Sequence, residues 1–241
     1  GGGKLGLSVD QCCAGSLTDR SLSGQVTLAG ADLDSIVRGL AAEGLSGSIR
    51  GGLQFEGTGA SIGEVMRSMT GEGNFTIDDF AAENLSAEVF PAISNFDDVL
   101  NTEADALETL IALALEQGPF TAQEARGAFT IAGGTVRLAN FIIEGAGGRL
   151  AGSLNLVLEH LGLDGAFVLT PRGFTDPTGM VQADTARIIA RVAGTLLAPQ
   201  VTLDLTDMVA AIQVRANELE VERLETLRLE DEARQRAAAE E

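Results

Sequence analysis

Residues 127–171 read GAFTIAGGTVRLANFIIEGAGGRLAGSLNLVLEHLGLDGAFVLTP. Apolar residues recur there at every second position, so Phe129 with Ile131, Val136 with Leu138, and Leu154 with Leu156 and Leu158 share one face of an extended chain. Smaller or polar residues occupy the other face. Four strands are expected, GAFTIAG, GTVRLANFIIEG, GRLAGSLNLVLEHL and LDGAFVLTP, joined by turns that carry Gly-Gly pairs or Gly with Asp. Such a run describes an antiparallel meander with one apolar face.

The same unit, Gly-x-apolar-x, recurs outside this stretch. It begins at Gly24, Gly47, Gly73, Gly127, Gly134, Gly152 and Gly165, and each glycine is read as the start of a strand. The intervals are uneven, which excludes a solenoid of fixed period and favours hairpins of differing length. The apolar face extends accordingly to Val26, Leu28, Leu53, Phe55, Phe75 and Ile77 before residue 127, and to Phe167 and Leu169 after Leu158. Aromatic residues are only 4% of the chain, all of them Phe, so this face is aliphatic with few polar handles.

Helical spacing interrupts the strands. Ser61–Met69 places Ile62, Val65, Met66 and Met69 on one side behind a capping serine. Phe96–Glu116 aligns Val99, Leu100, Leu107, Leu110, Ile111 and Leu115 before Gln-Gly-Pro ends it, and Thr178–Val192 reads as a third helix. From Thr206 to Glu241 the Ala/Glu/Arg/Leu content predicts a long charged helix, solvated beyond Leu229. The expected class is mostly β with helices (α+β): an antiparallel, curved or groove-like sheet over residues 1–205 with short packing helices, then a charged C-terminal helix over 206–241.

A net charge of −19 across 241 residues repels a nucleic-acid backbone and gives no cationic patch for anionic headgroups. Contact with lipid would therefore run through apolar surface. No run of roughly 18 apolar residues spans a bilayer, and the chain opens GGGKLG without Met, so it reads as a fragment and the absence of an anchor or targeting segment within it decides nothing. An unpaired strand at either end of the sheet is likewise expected to be continued by upstream sequence. Cys12 and Cys13 are sequence neighbours, poorly placed for a disulfide, and read as small residues of a strand or turn.

Catalytic chemistry finds few candidates. His160 is the sole histidine and is expected near a strand end at the surface. GTGASIG at Gly57 leads from a strand into a helix but lacks the lysine of a phosphate loop. The pairs Asp78 with Asp79, Asp97 with Asp98, and Asp204 with Asp207 read as solvated acids at strand ends and helix starts. No catalytic residue, metal ligand or cofactor is assigned, and the chain is expected not to be an enzyme.

Residues 45–86, LSGSIRGGLQFEGTGASIGEVMRSMTGEGNFTIDDFAAENLS, resemble the C-terminal region of the AsmA family, and 133–171 and APQVTLD at 198–204 fit its continuation and ending. Residues 1–44 match only as a further strand and the ADLDSIVRGL helix. The resemblance implies a Gram-negative envelope protein, periplasmic and held to the inner membrane by a helix upstream. It also implies a role in outer-membrane assembly, with phospholipid acyl chains carried along an apolar sheet face and no transferable catalytic residue. Two alternatives stand beside it. Helices that cover the face entirely would make a closed scaffold or capping module whose C-terminal helix docks a protein partner, and an adhesin-like β-domain would share the glycines and the acidity.

Overall fold

The computed structural model describes residues 3–13, 20–37, 44–96, 99–182 and 184–239. Its strands are β1 (Lys4–Cys13), β2 (Arg20–Asp32), β3 (Leu45–Gly59), β4 (Thr70–Ala82), β5 (Phe120–Ala132), β6 (Thr135–Glu144), β7 (Gly148–Val157), β8 (Gly162–Pro171), β9 (Ile188–Thr195) and β10 (Ala198–Asp204). Each pairs antiparallel with the next, so the ten strands lie side by side in chain order as one open sheet. Helices α1 (Leu33–Val37), α2 (Ile62–Ser68), α3 (Val89–Ser94), α4 (Ala104–Leu115) and α5 (Thr206–Ala239) fill the longer connections and the C-terminal end. The class is the expected one, mostly β with helices and a long C-terminal helix.

Strand direction alternates, so the connections fall at two ends of the sheet. At one end α2 joins β3 to β4. Ser61 Oγ accepts the Glu64 N–H at 3.3 Å and the Glu64 carboxylate accepts the Ala60 N–H at 2.7 Å, a reciprocal box that closes the first turn. Val65 is then buried against β3 and the Ser68 hydroxyl donates to the Thr58 carbonyl.

The opposite end carries α3, a 3-10 turn at Val99–Asn101, α4, the 172–187 connection and α5. Phe90, Leu107, Ile111, Leu115, Met208 and Ile212 are fully buried there against Phe120, Ile143, Leu169 and Ile188 of the sheet. Full burial of such a side chain stabilises by about 1.5–3 kcal/mol, so this end is the anchor of the molecule. The first turns of α5 belong to that core through Met208, Val209, Ile212 and Ala216.

Several expectations are corrected. Among the seven glycines only Gly134 immediately precedes a strand; Gly24, Gly73, Gly127, Gly152 and Gly165 lie inside β2, β4, β5, β7 and β8, and Gly47 is two residues into β3. Phe96–Glu116 is not one helix but the 3-10 turn and α4, with Leu100 and Leu110 exposed; Asp97 and Asp98 lie outside the described residues. The segment Thr178–Val192 forms no helix. Asp176 instead accepts N–H bonds from Thr178 and Val181, both at 2.8 Å, which folds the connection into a tight loop, and Ile188 onward is strand β9. Burial by itself raises the Asp176 carboxyl, but hydrogen bonds from Thr178, Val181 and Ser94 together hold it below the usual carboxylate range. Solvation of α5 begins near Val221 rather than beyond Leu229. Of ADLDSIVRGL the structure describes a helix over Leu33–Val37, and residues 38–43 lie outside the described residues.

Candidate functional site

Strand pairing aligns side chains in rows that cross the whole sheet. One row reads Leu7, Val26, Leu53, Gly73, Phe129, Leu138, Leu154, Gly165, Val192 and Val201 from β1 to β10. The next on the same face reads Val9, Gly24, Phe55, Gly71, Ile131, Val136, Leu156, Leu163, Gly194 and Pro199. Neither contains a hydrogen-bonding side chain. The row between them points to the other face and reads Ser8, Gln25, Gln54, Glu72, Thr130, Arg137, Asn155, Asp164, Ala193 and Gln200. The sheet is thus two-sided, as period-2 alternation demands.

The mid-strand glycines have a packing reason. Phe75 stands directly opposite Gly127, and a β-carbon on that glycine would collide with the Phe75 ring; Gly73 makes the same room for Phe129. Phe141 and Phe167 flank Gly152 in the same way. Large rings therefore spread over the glycines of neighbouring strands. Phe75 approaches Phe141 at 5.7 Å and Phe141 approaches Phe167 edge-on at 6.5 Å, a continuous aromatic band across β4 to β8.

Positive φ at Asp79 and Asn140 marks bulges in β4 and β6, next to register shifts in the ladder, and Gly30 does the same in β2. Bulges bend a strand and sharpen its twist. They lie between the two apolar rows and the end of the sheet that carries α3, α4 and α5. The bend separates a covered part of the face from an uncovered one.

The expected face residues divide along that line. Val26, Leu28, Leu53, Phe55, Phe75, Phe129, Val136, Leu138, Leu154, Leu156 and Phe167 are half-buried on one face of the sheet. Ile77, at 6% exposure, and Leu169, at 1%, are core beneath the helices, and Ile131 is buried near α2. Leu158 leaves the sheet altogether. It sits in the β7–β8 turn, where its N–H donates to the Gly134 carbonyl at 2.9 Å. Residues missed on the same face are Leu5, Leu7 and Val9 of β1, Phe141, Leu163, Val192, and Val201 and Leu203 of β10. The alternation in KLGLSVD and QVTLD was the signal for the two edges.

The polar face and loops bring acids to cations. Arg50 pairs with Asp78 and lies 3.6 Å from Glu124, so Asp78 and Asp79 sit inside β4 at its bulge rather than at a strand end. Asp204 ends β10, where hydrogen bonds from Arg191 and then Thr206 hold its carboxyl below the usual range. Cys12 and Cys13 end β1, and His160 is exposed in the β7–β8 turn. Three shallow depressions also lie on the polar side, one of them among Ser8, Gln25, Gln54 and Glu72. Among the described residues no group of three or more His, Cys, Asp or Glu converges, and every buried side-chain nitrogen or oxygen has a partner. No described helix is long and apolar enough to cross a membrane.

The arrangement can exclude water from an apolar ligand laid along the rows. No protein-family model, curated protein or solved structure matches the chain.

Proposed function

We propose that this chain is a non-enzymatic, lipid-handling segment of a Gram-negative envelope protein, in which the uncovered apolar rows hold phospholipid acyl chains. The observation that carries the reading is the pair of adjacent rows, apolar or glycine in every strand from β1 to β10, outside the part of the face that the C-terminal helix covers. Nine inter-strand steps give a path of roughly 43 Å, against about 15 Å for one leaflet's hydrocarbon. Each methylene taken from water contributes about 0.8 kcal/mol, so a chain lying along the rows gains affinity without any charged group. The AsmA-like pattern supports the same reading, with the protein on the periplasmic side, an inner-membrane anchor outside this chain, and a role in outer-membrane assembly.

A scaffold or capping module is the second reading. The burial of Ile77, Ile143 and Leu169 beneath the helices favours it, and the exposed length of α5 beyond Val221 would then dock a protein partner.

Mass spectrometry of organic extracts separates the two. Protein purified without detergent should carry phospholipid, and folded Phe129→Asp and Leu156→Asp variants should lose it. Lipid-free protein in every sample supports the scaffold.

A further inference from the structure

The two edges of the sheet are not alike. β10 is seven residues long, carries Pro199, which has no N–H to offer a neighbour, and runs at once into α5. β1 is ten residues long, holds an unbroken register with β2, and contains neither proline nor bulge. Its apolar side chains stand open, Leu5 at 68%, Leu7 at 64% and Val9 at 47% exposure. A long, flat, apolar edge with unpaired backbone groups accepts another strand unless something blunts it.

The sequence of β1 says which strand fits. In place of the upstream continuation expected of an open edge, we infer that β1 pairs antiparallel with β1 of a second copy of this chain, about a two-fold axis passing through the Leu7 pair. In that register Leu7 faces Leu7, Leu5 faces Val9, Gly6 faces Ser8, and Lys4 faces Asp10. The charged pair, Lys4 with Asp10, is formed twice by symmetry, as an isologous interface requires. Neither Lys4 nor Asp10 has an ion-pair partner among the described residues. Moving the centre to Leu5, Gly6, Ser8 or Val9 leaves Lys4 and Asp10 unmatched. With the axis perpendicular to the sheet, the apolar faces of the two copies lie on the same side. The rows that pass through Leu7 and Val9 then run on into the second molecule. This pairing stands on the β1 edge alone and holds whether or not the face carries lipid.

Sedimentation velocity over a concentration series tests it. A reversible dimer is expected. Lys4→Asp and Asp10→Lys each set like charges opposite one another twice, raising the dissociation constant about ten-fold, and the double variant restores it. Register is read separately in a Cys12→Ser, Cys13→Ser background, where Leu7→Cys should crosslink on oxidation and Leu5→Cys should not. Both sites are exposed, so unchanged urea midpoints establish that the variants fold. A chain that stays monomeric at its highest soluble concentration overturns the pairing, as does a dimer indifferent to the charge changes or one in which Leu5→Cys crosslinks as well as Leu7→Cys.

Discussion

Phe75 of β4 and Gly127 of β5 face each other across the ladder, and the phenylalanine ring occupies the space where a β-carbon on the glycine would stand. The same exchange joins Phe129 to Gly73, so the face is tiled by rings lying over glycines of the next strand. Glycine inside a strand ordinarily weakens it. Here it lets Phe75 reach Phe141 across an intervening strand.

Gly127→Val should therefore destabilise despite the high strand propensity of valine. Overpacking of this kind costs about 1–3 kcal/mol, read as a lower urea midpoint at unchanged m-value. A stabilised variant would mean that the Phe75 ring has another place to go.

Asp176 fastens the 172–187 connection to α3 through Ser94 and to its own N–H groups at Thr178 and Val181. Its folded-state pKa is lowered, so its contribution is fully present above the ordinary carboxylate pKa and is lost as pH falls below that value toward the depressed one. Asp176→Ala should cost about 1–3 kcal/mol at neutral pH and should flatten the acid limb of the stability curve in that interval. Equal acid sensitivity in both proteins, measured by urea unfolding across pH, would assign the limb to other carboxylates.

The two halves of α5 should behave differently. Ile212 is 1% exposed, and Ile212→Ala should cost about 2–5 kcal/mol. Ending the chain after Glu220 removes exposed turns whose ion pairs, such as Arg234 with Asp231 and Arg228 with Glu232, lie at the surface and contribute little. Thermal unfolding of the shortened chain should match that of the full chain. A large loss would reveal packing by the outer turns.

What the sequence made legible was local. The alternation over 127–171, the serine cap of α2 and the charge density of α5 each specify their element without help from distant residues, and each is present in the structure. Mid-strand glycines were misread because the ring that needs the space belongs to the neighbouring strand, a register that no single segment encodes. Ile188, Ile189, Ala190 and Val192 suit either a helix or a strand by hydrophobicity, and the choice is made by the Asp176 loop before them and by pairing with β8. Helix α3 is only six residues long and has no side-chain cap to announce it; Pro91 sits in its first turn, where a missing N–H costs nothing. Which part of the apolar face is covered depends on helices folding back from both β4 and β10, again a non-local matter.

Photo-crosslinking with a phospholipid that carries a diazirine in its acyl chain, delivered to the purified chain from neutral vesicles and mapped by peptide mass spectrometry, bears directly on whether the apolar rows hold acyl chains. Adducts are expected on uncovered positions such as Leu53, Phe129 and Leu154, with none on Gln54 or Arg137 of the polar row or on buried Ile143. Adducts confined to the polar face, or none at all on protein that remains folded, would contradict the lipid-handling function.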